Sequence, residues 1–181
     1  MAHLTAAELD AGLDHIRQAP KDNGRLEMIV QRPDIGERRT VDVGELSLEE
    51  GLKGDNWKDR PNAHPEMQLN IMNVRSTALV AQERDRWALA GDQLYVDLDL
   101  SLDNLPAGTR LSLGDAIVEV TAVPHRGCAK FVDRFGADAM AFVNSEVGCQ
   151  LNLRGINAKV VQAGTIRIGD SVAKLDVNDG G

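Results

Sequence analysis

Hydrophobic positions in this chain occur in short runs, and most of these runs are too brief to form helices. Runs of this length, separated by turn-forming residues, are typical of β-strands. In the segment 95–100 apolar and polar residues alternate strictly, which places Val96, Leu98 and Leu100 on one face of a half-exposed strand. The pattern predicts nine strands, at residues 26–30, 40–43, 68–72, 93–100, 109–113, 116–123, 158–161, 165–168 and 172–175.

The first 20 residues predict a separate helical segment. Thr5 and Glu8 have the spacing of a capping box, in which each side chain bonds the backbone of the other residue. Behind this box three apolar residues recur at helical spacing before Pro20 ends the pattern: Leu9, Leu13 and Ile16. The helix either packs on the rest of the chain or pairs with a second subunit in a homo-oligomer, and amphipathicity leaves both open.

Helical periodicity recurs in only two interior stretches, residues 74–89 and 137–147. Many strands without a regular strand-helix alternation predict a mainly β fold with helical insertions (α+β), built around a closed or partly open β-barrel. We assign residues 1–20 to a helical appendage, residues 21–176 to the barrel domain and residues 177–181 to a flexible tail.

Two Gly-Asp dipeptides predict tight turns between neighbouring strands. Gly114-Asp115 separates the strands at 109–113 and 116–123, and Gly169-Asp170 separates those at 165–168 and 172–175. The sequence therefore predicts two ordinary hairpins.

Composition and charge narrow the range of partners. The chain has 181 residues, 43% of them hydrophobic and 3% aromatic, and its formal net charge is −8. This charge disfavours nucleic acid and anionic membranes, although a local basic pocket can still hold a small anion. No apolar run reaches the length of a membrane span or resembles a signal peptide, and the two cysteines have no CxxC spacing. We expect a cytoplasmic protein that acts on a small molecule.

The segment Pro124-His125-Arg126-Gly127-Cys128-Ala129-Lys130 gathers a thiol, an imidazole and two cations. Cationic neighbours and a helix beginning near Ala129 favour a thiolate, which suits nucleophilic catalysis, persulfide carriage or a soft metal. The alternative is that Cys128 fills a strand end as a small hydrophobe, and local sequence weighs both equally. Cys149 has no cationic neighbour before Arg154 and is interpreted as core packing.

A second candidate segment, residues 151–160, combines amide and cationic side chains around Gly155. Arg154, Lys159 and backbone amides there are able to cradle a phosphate. The alternative is a solvated loop with unpaired surface charges. Glycine-rich nucleotide-binding motifs are absent from the sequence, which disfavours Rossmann and P-loop folds.

Several segments together, in their order and spacing, resemble the MOSC domain family, which is named for the carboxy-terminal part of molybdenum cofactor sulfurases. The resemblance covers about residues 25–175. The matching segments are residues 26–33 with their Arg32-Pro33 turn, Gly51-Leu52-Lys53-Gly54-Asp55, residues 68–73, the cysteine segment 123–130, and the closing segments 154–160 and 164–170.

The resemblance implies a barrel of the pyruvate-kinase-barrel type and a single functional cysteine. Cys128 would hold sulfur or ligate the molybdenum of a molybdopterin-type cofactor, and a thiolate is a strong donor to such a metal. The terminal phosphate of the pterin would then need cationic and amide donors. Proximity in sequence nominates five cofactor-binding residues: Arg126, Lys130, Arg154, Asn157 and Lys159.

Stand-alone relatives in this family imply that the protein reduces N-hydroxylated compounds. Electrons would come from a separate reductase, because no cysteines remain for an iron–sulfur cluster. The alternatives are a carrier that receives a persulfide from a sulfur donor protein, a module that holds the cofactor without turnover, and a partner-binding scaffold with a degenerate site. We expect no desulfurase activity, since the chain lacks a large pyridoxal-phosphate domain.

Overall fold

The computed structural model describes residues 1–176, and the predicted C-terminal tail at 177–181 lies outside the described residues. The strands are β1 (Gly24–Gln31), β2 (Arg39–Val41), β3 (Val43–Ser47), β4 (Gly51–Leu52), β5 (Leu69–Asn73), β6 (Leu94–Asp97), β7 (Arg110–Leu113), β8 (Ala116–Val120), β9 (Ile156–Gln162), β10 (Gly164–Arg167) and β11 (Ser171–Lys174). The α-helices are α1 (Ala6–Ala11), α2 (Leu13–Arg17), α3 (Val74–Ala81), α4 (Ala129–Phe135), α5 (Ala137–Asn144) and α6 (Glu146–Gln150). Short 3-10 helices cover Trp57–Asp59, Pro65–Met67 and Arg84–Ala90.

Seven strands close into a mixed barrel, which confirms the mainly β prediction. Their order is β11, β7, β8, β9, β5, β6 and β1, and the barrel closes where β1 pairs with β11. Strands β5 and β6 run parallel, while the other neighbours in the barrel are antiparallel. Strand β2 extends the far end of β1, and β10, β3 and β4 form a second, three-stranded sheet.

The first predicted hairpin is confirmed and the second is wrong. Strands β7 and β8 pair across Gly114-Asp115 as expected. Strand β10 instead pairs with β3, while β11 pairs with β7 and β1, so the chain changes sheets at Gly169-Asp170. The reason is that this turn bonds to β1: Gly169 N–H donates to Leu26 O, and Leu26 N–H donates to Asp170 O.

Both predicted interior helices are interrupted. The stretch 74–89 forms α3 and then a 3-10 helix, because Gln82 adopts a φ of +66° and Glu83 N–H donates to Ala81 O in a γ-turn. The stretch 137–147 divides into α5 and α6, because the Ser145 side chain caps α6 by accepting a hydrogen bond from Gly148 N–H. The helix expected near Ala129 is α4.

The protein has two hydrophobic cores, one inside the barrel and one between the barrel and its helices. Aliphatic side chains fill the barrel, including Leu69, Ile71, Ile156 and Ala158. Leu9 and Ile16 of the N-terminal helices are buried in the second core with residues such as Val30, Met72, Tyr95, Phe131 and Phe135. The appendage therefore packs within its own chain, mainly against α5 and α3. Among residues 1–176, no helix combines the length and apolarity needed to cross a bilayer.

Candidate functional site

A buried polar network lies on the outer face of the barrel. Asn70 of β5 and Asn157 of β9 alternate with interior residues, so their side chains face outward. Asn70 Nδ2 donates to Asn157 Oδ1 at 2.7 Å, and Asn157 Nδ2 donates to Val123 O at 2.9 Å. Val123 lies in the cysteine loop, residues 121–128, which connects β8 to α4. The two amides therefore connect the barrel wall to this loop.

One ion pair in this network is fully enclosed and fully bonded. The Arg32 guanidinium contacts both carboxylate oxygens of Asp55, with Nε to Oδ1 and Nη2 to Oδ2 each at 2.8 Å. Its Nη1 donates to Asn70 Oδ1 at 3.2 Å and to Gly91 O at 2.9 Å. The Asp55 side chain is 0% exposed. A bidentate pair of this kind is rigid and directional.

A second buried pair connects the barrel to the cysteine loop and to α4. Asp92 Oδ2 accepts from Arg154 Nη1 at 2.6 Å, and Arg154 Nη2 donates to Ala90 O at 2.8 Å. The Arg154 guanidinium also lies over the Phe131 ring of α4, 5.2 Å from its centre. His125 Nε2 lies 3.2 Å from Asp92 Oδ1, but the angle does not suit a hydrogen bond. Three buried atoms, Asp92 Oδ1, His125 Nε2 and Arg154 Nε, therefore have no hydrogen-bond partner among residues 1–176.

Burial and charge set the protonation states of this second pair. Burial opposes ionisation of Asp92, but the positive charge of Arg154, together with the neighbouring His125 imidazole, outweighs it and lowers the pKa of the Asp92 carboxyl. Burial and the positive charge of Arg154 lower the pKa of His125, and Asp92 offsets only part of this effect. The site thus combines an ionised Asp92 with a histidine that is neutral at pH 7.

Cys128 is exposed and lies at the N-terminal end of the seven-residue helix α4. The loop before it is held by the Asn144 side chain, whose Oδ1 accepts from Gly127 N–H at 2.9 Å while its Nδ2 donates to Gly127 O at 3.3 Å. A Cβ on residue 127 would lie 2.6 Å from Met140 Sδ and 3.2 Å from Val143 Cγ2, so a side chain there would have to displace Met140. Cys149 is half-buried on α6, and its Sγ contacts Asn144 O at 3.5 Å.

Three further guanidiniums gather around Gly91 and Arg32. Gly91 has a φ of +91°, and a Cβ there would lie 3.5 Å from Arg38 Nη2 and 3.6 Å from Arg134 Nη1. Burial and the charges of Arg134 and Arg32 lower the pKa of Arg38, while burial and Arg32 lower the pKa of Arg60. Within residues 1–176, neither Arg38, Arg60 nor Arg134 forms an ion pair with a carboxylate. We call Arg38, Arg60 and Arg134 the arginine cluster.

The structure brings most of the predicted cofactor residues to one region. Arg126 and Lys130 flank Cys128 and are exposed, whereas Arg154 and Asn157 are buried and already bonded within the network described above. Lys159 lies farther along β9, where its ammonium pairs with Glu66 at 2.9 Å and with Glu119 at 3.7 Å. The roles of all five toward a cofactor stay predictions.

Sequence reasoning missed the acidic partners and the arginine cluster. Asp92, which carries the second ion pair, directly follows Gly91 and belongs to no sequence motif described above. The available signal was that Arg32 and Asp92 lie close to predicted strands and that Asp55 follows Gly54. Charged residues at such positions are buried only when they are paired.

The architecture is a closed β-barrel with an exposed cysteine in a loop and the arginine cluster nearby. A family model described as the MOSC domain matches residues 58–173, more than half of the chain. The chain belongs to the MOSC domain family.

Solved structures show the same fold. YuaD protein from Bacillus subtilis matches with a TM-score of 0.62 and 16% identity, over 83% of this chain and 94% of that one. YiiM from Escherichia coli has a TM-score of 0.56 and 21% identity, over 84% of this chain and 70% of its own. YiiM from Geobacillus stearothermophilus has a TM-score of 0.56 and 15% identity, over 87% of this chain and 77% of its own. None of the curated proteins matches the chain.

Proposed function

We propose that this MOSC protein binds a molybdopterin-type cofactor through Cys128 and reduces N-hydroxylated small molecules. The observation that carries the proposal is the pairing of an exposed thiol with three guanidiniums that have no carboxylate partner in residues 1–176. In a chain with a net charge of −8, such a local concentration of positive charge favours binding of an anion at this place.

The donor set fits an elongated anionic cofactor with a metal at one end. Cys128 lies at the start of α4 and Arg134 lies near its end, six residues later, which corresponds to about 9 Å along a helix axis. Lys130 and Arg134 are four residues apart and share one face of α4. The thiol would hold the metal, and Lys130 and the arginine cluster would hold phosphate oxygens.

Two details support an anion at the arginine cluster. The buried Nε of Arg38 has no hydrogen-bond partner among the described residues, so it retains a donor for a ligand. The guanidiniums of Arg38 and Arg134 both come close to Gly91, since a Cβ there would lie 3.5 Å and 3.6 Å from their Nη atoms. A guanidinium offers paired donors that match the oxygens of phosphate.

Of the five residues predicted from the sequence, we propose that Arg126 and Lys130 contact the cofactor directly. Neither forms an ion pair within residues 1–176, and both lie within two residues of Cys128. Arg154 and Asn157 would act by holding the loop and α4 in place through Asp92, Phe131 and Val123.

The bound cofactor would supply the two-electron chemistry of molybdenum, and the protein would supply its position and its electrostatics. Cleavage of an N–O bond consumes two electrons and two protons and releases water together with the reduced nitrogen compound. We assign the electrons to a separate reductase. A thiolate at Cys128 would remain bound to the metal, so it is a ligand and not a nucleophile.

The test is molybdenum analysis of the wild type, Cys128→Ala and Cys149→Ala, produced in a host that makes the cofactor. We expect about one molybdenum per chain in the wild type and in Cys149→Ala, and loss of the metal in Cys128→Ala. Reduction of benzamidoxime with reduced methyl viologen should follow the metal content. Absence of metal from the wild type, together with sulfane sulfur on Cys128, would replace the reductase proposal with a persulfide carrier.

A further inference from the structure

A cleft of about 200 Å³ opens beside the cysteine loop. One wall comes from the segment that includes Leu102, Leu105 and Ala107, and the other from the end of β8 and the loop that follows, residues 120–126. Residues between β9 and α6 form its floor. The cleft is separate from the arginine cluster, none of whose members lines it.

The polar side chains in the walls of this cleft are already bonded to the protein. Thr121 Oγ1 donates to Glu66 O, Asn152 Nδ2 donates to Leu100 O, and Asn157 uses both ends of its amide. Cys149 Sγ contacts Asn144 O. The remaining lining is aliphatic, so the walls present apolar surface to an occupant.

One end of the cleft is polar. His125 and Arg126 line it, and neither has its full set of hydrogen bonds within residues 1–176. Because Nε2 of His125 faces Asp92, the other ring nitrogen, Nδ1, remains for a ligand. Arg126 lies two residues before Cys128, so their Cα atoms are at most about 7 Å apart.

We infer that this cleft binds the organic body of the substrate, with His125 and Arg126 holding its polar N-hydroxyl end near Cys128. The inference rests on the proposed function for the identity of that polar end. Ligand sites usually join apolar walls to a few directed polar groups. A cavity of about 150 Å³ is large enough for benzene, so this cleft suits a substrate with a single uncharged ring or a short aliphatic chain.

The test measures binding of benzamidoxime to the oxidised, cofactor-loaded protein, without an electron donor, by NMR chemical-shift titration. Saturable shifts are expected in residues 102–107 and 120–126. Ala122→Leu adds bulk to an exposed position of the cleft wall and should weaken binding at least 10-fold, as should Ala107→Leu from the opposite side. Ala163→Leu, at an exposed position between β9 and β10, is the matched control and should bind like the wild type.

The inference would be overturned by any of three results: chemical-shift changes confined to other regions, no saturable binding, or wild-type affinity in both cleft variants. Molybdenum content is measured on the same samples. A sample without molybdenum that still binds benzamidoxime in the cleft would contradict the proposed function. It would not contradict the inference that the cleft is a binding site. A loaded, active protein whose KM is unchanged by Ala122→Leu would contradict the pocket alone.

Discussion

Two buried arginine–aspartate pairs lie within the same polar layer, yet they differ in how completely they are bonded. In the Arg32–Asp55 pair both carboxylate oxygens contact the guanidinium, and the remaining donor Nη1 bonds Asn70 and Gly91. In the Arg154–Asp92 pair one oxygen of Asp92 and one nitrogen of Arg154 have no aligned partner among the described residues. The first pair is built as a structural brace.

The second pair is less completely hydrogen-bonded, and it contacts the cysteine loop and α4. Asp92 also faces His125, and Arg154 also contacts the Phe131 ring, so this pair aligns the cysteine loop with α4. Unsatisfied buried polar atoms cost free energy, and they concentrate where geometry serves function. From this comparison we expect Arg32–Asp55 to matter more for stability, and the surroundings of Asp92 to matter more for the proposed chemistry.

Breaking the Arg32–Asp55 pair should have the largest effect on the free energy of unfolding. Asp55→Asn leaves the Arg32 charge buried without its counterion, and we expect the free energy of unfolding to fall by about 3–5 kcal/mol. Urea unfolding at pH 7 measures this change. Asp59→Asn, at an exposed position four residues away, is the control and should leave stability nearly unchanged. A loss below about 1 kcal/mol in Asp55→Asn would remove the basis for calling this pair a brace.

Asp92→Asn should cost less, about 2–3 kcal/mol, because Arg154 keeps its bond to Ala90 O and its contact with Phe131. The same urea measurement gives this value. The variant should also disturb the cysteine loop, and the rate of alkylation of Cys128 by iodoacetamide reports that change. Equal losses of stability in Asp92→Asn and Asp55→Asn would show that the two pairs have the same structural role.

The smallest effect is a pH dependence at His125. Its pKa in the folded protein is below the ordinary value of 6.5, so the unfolded chain binds the proton more readily. Stability is therefore complete above about pH 6.5 and falls as the pH drops through that value toward the folded pKa. His125→Gln should lose less stability than the wild type between pH 7.5 and pH 5.5.

The control for this titration is His15→Gln, which replaces an exposed histidine on α2. It should keep the wild-type pH dependence over the same interval, measured by urea unfolding. If His125→Gln and the wild type respond alike, the histidine is not held in its neutral form by burial and Arg154, and the account of this pair is wrong.

Much of the fold was predictable because local patterns decide it. The capping box at Thr5, the hairpin at Gly114-Asp115 and the helix near Ala129 all appear where the sequence places them. The turn at Gly169-Asp170 was not predictable in the same way, since its direction depends on hydrogen bonds to Leu26, far away in the chain. The break at Gln82 likewise arises from a backbone conformation that its side chain does not favour.

The site, like the fold, has features that the sequence predicted and features that only the structure revealed. The order of residues alone gave the family resemblance. It also singled out Cys128, Arg126 and Lys130 as candidate site residues, because they lie within one continuous segment. The folded chain was needed to pair Asp55 with Arg32, Asp92 with Arg154 and Arg38 with Arg134, which come from segments far apart in sequence. Ion pairs form between groups that lie a few ångströms apart in space. The hydrophobic periodicity of a sequence does not indicate which charged residues from distant segments become neighbours.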